Sequence, residues 1–475
     1  MPLIKKIVAL LNVEVIVPDF RSSETISGAG SSINFNSGRR QVQLEKIKSN
    51  IMSNDKWFED IFGFPEKGSF NKIQKMFHVS EDGSILTTVP PTPTSTDGSI
   101  LTSPQRQFFI GNFSTPSVAE LRAEISSTLG AMAVASSAAE VCSSSYGTDD
   151  GQQRPAKKQR LKFEHMVGDV GLLHRLPENS DAIFQAASQF NCLEMTSPSV
   201  KPEHGITQYV YDRTQGPVCA LACPGATVFR NYFACGDGCG SNEAVNLVGQ
   251  GGKNGIQLDL LKDIGQLVGN ETTSNANANA NVYWKMKNGY ALSSSESSIQ
   301  QLSQKLMSQA PDILKELISK LRVGVQWDTE VSYFGYEYLN HGSIHSPLPN
   351  PPHRVCQVYC SAVPISYDHP ARAKDWEVFA RTILMGLYEA TLAVAVIKQL
   401  EKAQQHDENR SATEQRTKVY LTMVGGGAFG NDSKWIAEAI GKSLNKYQHY
   451  PLDVYLVHYG RIDEYYVKKI QYAQG

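Results

Sequence analysis

At 475 residues the chain has room for two or three domains, and 41% hydrophobic residues are enough for a sizeable core. A net charge of −2 and a pI near 6.6 supply no overall basic field, so nucleic acid is not an expected partner. No apolar run approaches the roughly 18 residues of a membrane span, which argues against a membrane protein.

The first 20 residues, MPLIKKIVALLNVEVIVPDF, carry two lysines and a short apolar run. They lack a small-residue cleavage site and alternate with Asn and Glu as a strand does, so a signal peptide is not expected. Within residues 1–125, an N-terminal region of unassigned fold, two stretches look folded: DKWFEDIFGF at 55–64 and FFIGNFSTPSVAELRAEI at 108–125. The second predicts a strand, a turn, and a helix opened by Ser114 and Thr115. Between them, TTVPPTPTSTDGS at 87–99 is a Pro/Thr/Ser loop. The small-residue, polar stretch at 126–153 reads as a linker. It runs into RPAKKQRLK, where Arg154, Lys157, Lys158, Arg160 and Lys162 form either a single-part nuclear localisation signal or a solvated charge run. The linker is therefore bounded at 126–162, and a domain is expected over 163–475.

From Phe163 onward strands and helices alternate, which predicts an α/β fold with a largely parallel or mixed sheet. Strands are expected at 182–186, 355–363, 419–424 and 454–458, and helices at 220–233, 298–321, 376–399 and 434–447. An Asn/Ala tract at 274–282 is a low-complexity surface insertion. WKMKNGYAL at 284–292 and VGVQWDTEV at 323–331 are structured again, and in the latter Asp328 and Glu330 alternate with Trp327 and Thr329, sharing one face of a strand. Eight scattered cysteines suit thiols in a reducing cytoplasm or nucleus. Cys219, Cys223, Cys235 and Cys239 have paired CxxxC spacing that offers four thiolates to zinc. The first two fall in an Ala-rich apolar segment where cysteine acts as a small hydrophobe, so no metal site and no cofactor are assigned.

The stretch richest in chemistry is VYLTMVGGGAFGNDSKWIAEAI at 419–440. An apolar strand runs into three consecutive glycines and a fourth at Gly430. Asn431, Asp432 and Ser433 then supply helix-cap residues, and Trp435, Ile436, Ala439, Ile440 and Leu444 recur at helical spacing. Strand, glycine loop and helix start together gather unpaired backbone N–H groups and the positive end of a helix dipole, which is a phosphate-binding arrangement. A tight turn would also use glycine, but not four of them.

With these elements in order, the chain resembles the macro domain, an α/β fold that binds ADP-ribose. Four stretches carry the resemblance: VGDVGLLHRLPENSDAIFQAAS at 167–188, VCQVYCSAVPISYD at 355–368 with the helix holding Leu387, Tyr388 and Glu389, the glycine-loop stretch, and PLDVYLVHYGRIDEYY at 451–466. The resemblance implies a three-layer α/β/α domain carrying large insertions. It implies that Asp169 accepts a hydrogen bond from the adenine amino group and that Ser188 meets the distal ribose. Gln185 stands where the family's first Asn braces the loop. Gly425, Gly426, Gly427, Ala428, Phe429, Gly430 and Asn431 match the diphosphate loop, with Phe429 stacking near the ribose.

The chain departs from the hydrolytic members, which carry a first glycine-rich loop after an Asn-Ala-Ala-Asn turn, and from the poly(ADP-ribose) glycohydrolases, which add Gln-Glu-Glu. Here Gln185-Ala186-Ala187-Ser188 stands at the turn, and Thr214-Gln215-Gly216-Pro217 is the candidate replacement loop, its Gly216 admitting phosphate. Glu194 and Asp212 are the candidate acid and base, with Arg213 a candidate phosphate clamp. Three functions stay open on the sequence: hydrolysis of an ADP-ribosyl bond, recognition of ADP-ribose or an ADP-ribosylated protein without turnover, and a scaffold with a vestigial pocket. Nothing in the sequence sets the oligomeric state.

Overall fold

The computed structural model describes residues 56–87, 106–143, 160–236, 248–270, 282–332, 352–404 and 416–470. The chain divides into two units, Met1–Asn50 and Ile51–Gly475, and all described residues belong to the second. The Asn/Ala tract up to residue 281, the Pro/Thr/Ser loop beyond Thr87, and Arg154, Lys157, Lys158 and Cys239 lie outside the described residues.

Three short strands, β1 (Phe77–Val79), β2 (Ser84–Thr87) and β3 (Gln107–Phe109), form an antiparallel sheet. The main sheet has seven strands: β4 (Asn112–Ser114), β5 (Lys162–Val167), β6 (Ile183–Ala187), β9 (Gly324–Glu330), β10 (Arg354–Cys360), β11 (Thr417–Leu421) and β12 (Leu452–His458). A hairpin, β7 (Trp284–Lys287) and β8 (Tyr290–Ser293), stands apart from it. The main sheet runs β4-β9-β10-β6-β11-β12-β5; the last five in that order are mutually parallel, and β9 and β4 join antiparallel at one edge.

β6 shows how the layers arise. Four of its five residues are apolar and both its faces are covered. Phe184 stacks on His174 of the helix Val170–Arg175, while Gln185, on the opposite face, donates to Thr391 in the helix Ala373–Gln404 at 2.8 Å. Helices Ser433–Tyr447, Val118–Ser143, Glu296–Ser308 and Asp312–Lys320 pack with Ala373–Gln404, and Gln215–Ala222 and Pro224–Tyr232 lie on the other side with Val170–Arg175. The result is a mixed α/β sheet between two helical layers.

Several expectations are corrected by local chemistry. The helix expected over 220–233 is two helices, Gln215–Ala222 and Pro224–Tyr232, because Cys223 precedes a proline and sits at φ −124°, ψ 70°. The helix expected over 298–321 is likewise divided before Asp312 by Pro311. The helix expected to open at Ser114 and Thr115 opens instead at Ser117, whose Oγ accepts from the Glu120 N–H while Glu120 accepts from the Ser117 N–H. That helix continues to Ser143 through the first part of the expected linker, and its Val118, Leu121 and Ile125 belong to the main core. β4, from the expected N-terminal region, is part of the main sheet. The boundary expected at 125 therefore does not coincide with a break in packing.

Asp328 and Glu330 do not share partners. The β9–β10 register shifts at Val355/Gln357 and Asp328 takes φ +53°, so Asp328 pairs with Lys398 at 3.0 Å while Glu330 accepts from the Phe109 N–H at 3.0 Å. One helix, Ala373–Gln404, is long and apolar enough to cross a membrane by length and composition alone, but Glu389 interrupts its apolar run and 89% of its most apolar stretch is buried inside the fold. Cys219 and Cys223 are buried in the apolar core, where burial pushes both thiols up, and Cys235 is disulfide-bonded rather than a thiol.

A second apolar cluster joins Trp57, Phe58, Phe62, Phe64, Phe70 and Phe77 to Leu193, Met195, Ile206, Tyr209 and Tyr232. The β1–β3 sheet and its two short helices, Trp57–Phe62 and Phe70–Gln74, are thus packed on the excursion that follows β6.

Candidate functional site

At the carboxyl ends of parallel strands the departing chains splay apart and leave a crevice. The segments leaving β6, β10 and β11 line a cavity of about 420 Å³. A smaller recess of about 200 Å³ adjoins it, sharing Thr214, Gln215, Thr422 and Met423 and reaching the ends of β5 and β12. Together they form one cleft across the sheet.

The glycine loop forms one wall. Gly425 and Gly430 have φ of +81° and +71°, values that only glycine adopts without strain, so the turn itself requires them. Gly426 is packed: an added Cβ would lie 3.0 Å from Ile436 Cδ1. Gly427 is different, because its φ lies outside the left-handed region and a Cβ there would meet nothing within 4 Å. Within the loop, the Gly426 N–H donates to Met423 O at 3.0 Å and the Gly430 N–H to Gly427 O at 3.1 Å. Among the described residues, the N–H groups of Gly425, Gly427, Ala428 and Phe429 donate to no protein acceptor. A loop with four free donors bordering a cavity can hold an oxyanion.

Behind the loop lie three expected ligand contacts that do not line the cavity. Gln185 is buried, donating to Thr391 and accepting from the Thr422 N–H at 3.2 Å, which braces the strand that feeds the loop. Asn431 is buried and its amide donates to Val363 O and Gly425 O at 2.8 and 3.2 Å. Gly430 backs onto Ser366, whose Oγ would lie 2.1 Å from a Cβ.

Asp169 lines the smaller recess together with Arg213, Val457 and Tyr459. Its Oδ1 caps the helix Val170–Arg175, accepting from the N–H groups of Gly171 and Leu172 at 2.8 and 3.3 Å. The cap uses one oxygen, so a ligand amine would be read by Oδ2. Arg213 is at this end of the cleft and does not line the cavity beside the glycine loop.

At the other end Ser188, Glu194, Asp212, Gln215 and Gly216 line the larger cavity. Gly216 starts a helix so close to β6 that a Cβ would lie 1.9 Å from Ala187 O and 3.4 Å from Glu194 Cγ. Gln215 pins that helix to the strand, accepting from the Ala187 N–H at 2.9 Å and donating to Gln185 O at 2.6 Å. Glu194 is 2% exposed, and neither carboxyl oxygen has a hydrogen-bond partner among the described residues. Arg230 Nη2 stands 3.7 Å from its Oε1, too far for a hydrogen bond. Burial raises the Glu194 carboxyl to about 8; the Arg230 charge and the neighbouring Tyr209 hydroxyl pull it back, and the Asp212 charge adds to the rise. Arg230 is itself buried, its guanidinium 3.7 Å above the Tyr359 ring, donating to Cys192 O and Thr227 Oγ1 at 3.1 Å each. Asp212 is half-buried and accepts from the Thr214 N–H at 2.9 Å. One cavity thus holds a buried carboxyl whose pKa is raised and a second, half-buried carboxyl.

An aromatic wall with no signal in the sequence closes the site. Tyr290 from the hairpin and Tyr367 after β10 meet Phe429 of the loop, with ring centroids 5.5 Å (Tyr290–Phe429), 5.7 Å (Tyr367–Phe429) and 5.1 Å (Tyr290–Tyr367) apart. Tyr290 is held by a bond from its hydroxyl to Met195 O at 2.6 Å. Asp463 and Tyr466, beyond β12, complete the lining.

No family model and no curated protein matches this chain. Two poly(ADP-ribose) glycohydrolase structures are similar to it at low level. That from Deinococcus radiodurans, a point mutant in complex with ADP-ribose, has a TM-score of 0.22 and 12% identity over 31% of this chain and 50% of its own, so this chain spans about half its length. That from Thermomonospora curvata has a TM-score of 0.32 and 9% identity over 88% of this chain and 93% of its own.

Proposed function

We propose that this chain is a divergent macro-type domain that binds ADP-ribose, free or attached to protein, along the cleft and hydrolyses the ADP-ribosyl bond at its Glu194 end. The observation that carries the binding reading is the glycine loop. Two of its glycines answer backbone demands and one answers packing, but Gly427 answers none within the protein, and it sits among four unused N–H donors. A diphosphate against the loop uses those donors and needs the bare backbone. Adenine then reaches toward Asp169 Oδ2, and the distal ribose lies between Ser188, Phe429 and Glu194.

Turnover follows from the two carboxyls. Glu194, its pKa raised by burial, donates its proton to the leaving oxygen as the bond to the ribose anomeric carbon breaks. Asp212, the half-buried carboxylate, stabilises the developing positive charge and accepts a proton from the attacking water. The products are ADP-ribose and the freed hydroxyl or carboxyl of the carrier. Calorimetric titration with ADP-ribose, AMP and ribose 5-phosphate, followed by chromatography of mono- and poly(ADP-ribosyl)ated protein incubated with the chain, tests both halves. Tight ADP-ribose binding without release from any modified protein would leave a non-catalytic reader, and no binding would leave a scaffold.

A further inference from the structure

The two groups that support Glu194 come from different elements. The Tyr209 hydroxyl accepts from the Glu194 N–H at 2.9 Å, and Arg230 faces its carboxyl. Tyr209 sits in the short 3₁₀ helix Thr207–Tyr211, which leads directly to Asp212, while Arg230 sits in the helix Pro224–Tyr232.

Both elements end on one side chain from outside the main sheet. Glu66, between the helices Trp57–Phe62 and Phe70–Gln74, accepts from the Ile206 N–H at 2.9 Å, the Thr207 N–H at 2.6 Å, the Thr207 hydroxyl at 2.5 Å and the Tyr232 hydroxyl at 2.6 Å. Burial raises this carboxyl above its ordinary value, but every bond is accepted by it, so the partners are arranged for the ionised form. Gly205, at φ +76°, allows this approach, since a Cβ would lie 2.4 Å from Glu66 Cδ. Two further bonds from the same region repeat the pattern: Trp57 Nε1 donates to Thr207 O at 2.9 Å, and Gln74 Nε2 to Tyr232 O at 2.5 Å.

We infer that Glu66 is a positioning residue for the cleft. It does not line the cavity, but it fixes the 206–207 turn and the end of the Arg230 helix, and so sets where Tyr209, Asp212 and Arg230 meet Glu194. The β1–β3 region is thereby part of the reaction site. A carboxylate that joins two supports transmits any loosening to both, and a 1 Å misplacement of a reacting group costs about 10²-fold in rate.

The inference rests on the cleft being the functional site, and the test separates the two. Glu66→Gln puts an amide N–H₂ against N–H donors, Thr207→Val removes the hydroxyl bond at nearly constant shape, and Trp57→Phe removes the indole donor to Thr207 O together with part of a fully buried ring. Amide hydrogen exchange of the ligand-free chain reads the positions directly. Faster exchange at Ile206, Thr207 and Glu194 in all three variants, with the helix Ser433–Tyr447 unchanged, supports the inference whether or not the chain turns over a substrate. In a chain that releases ADP-ribose, kcat falls by about 10²-fold in Glu66→Gln and by a smaller factor in the other two, while ADP-ribose affinity stays within about 3-fold because the glycine loop is untouched. Unchanged exchange at those amides, or loosening spread evenly over the whole fold, overturns it.

Discussion

Gly427→Val is the perturbation that separates fold from function most cleanly. At Gly425 and Gly430 a side chain strains the backbone, and at Gly426 it presses on Ile436, so a loss of binding at those positions would mix two causes. At Gly427 no atom lies within 4 Å of the position a Cβ would take, so stability should stay within about 0.5 kcal/mol of wild type. Gly427→Ala should gain roughly 0.4–1 kcal/mol by restricting the unfolded chain. Binding is another matter. A branched side chain over the loop holds a phosphate away from the Gly427 and Ala428 N–H groups. Two charge-assisted bonds lost at about 1.5–3 kcal/mol each sum to about 3–6 kcal/mol, roughly 10²- to 10⁴-fold in Kd. Calorimetry with ADP-ribose and thermal unfolding of the same samples measure both quantities. A stable Gly427→Val variant that binds ADP-ribose as wild type does would refute the phosphate assignment of the loop.

Three more outcomes are expected. Asp169→Asn keeps the helix cap through its remaining oxygen but turns an N–H₂ toward the ligand, so ADP-ribose and AMP should lose about 1–3 kcal/mol while ribose 5-phosphate is unaffected; equal losses would remove the adenine contact. Glu194→Gln should hold ADP-ribose affinity within a few-fold and lower release of ADP-ribose from modified protein by about 10² or more, and an unchanged kcat would exclude Glu194 as the acid. Glu194 also gives a stability signature: its folded carboxyl lies at about 8 against 4.5 for the free group, so the folded state binds the extra proton between those values. Its contribution is full below about pH 4.5, falls as pH rises and is gone above about 8, up to about 5 kcal/mol in all. Chemical denaturation of wild type and Glu194→Gln at pH 5, 7 and 9 should show this decline only in wild type, and parallel curves would place the carboxyl elsewhere.

What could be read from the sequence was local. The glycine loop announces itself through a buried strand on one side and Asp432, which caps the following helix at the Lys434 N–H, on the other, all within 22 consecutive residues. Glu194 was legible because it follows the β6 turn by six residues and is flanked by apolar neighbours. The aromatic wall was not, since Tyr290 approaches Phe429 across 139 positions and no periodicity links a hairpin to a distant loop. Nor was Glu66, whose surroundings in the sequence are polar and turn-like while its partners lie about 140 and 166 positions away. The broken helices failed for a different reason: hydrophobic spacing continues across Pro224 and Pro311, but the missing N–H and the constraint on the preceding residue stop the hydrogen-bond ladder. Gln185 and Asn431 were expected as ligand contacts, but their amides face the layer beneath the loop, because a long amide can face either a ligand or the protein behind it.

The edge strand β4 bears on how the chain behaves when shortened. It covers β9, pairing Asn112 with Trp327 and Ser114 with Val325, and Gln326 Nε2 reaches across to Ile110 O at 2.7 Å. A chain begun after residue 116 would leave the Gly324–Glu330 strand as a naked border, with Trp327 in its middle and a row of backbone donors and acceptors open to any passing strand. Such fragments should self-associate, with a sedimentation profile that shifts with protein concentration, and they also lose Glu66 and with it the support of the Glu194 end of the cleft.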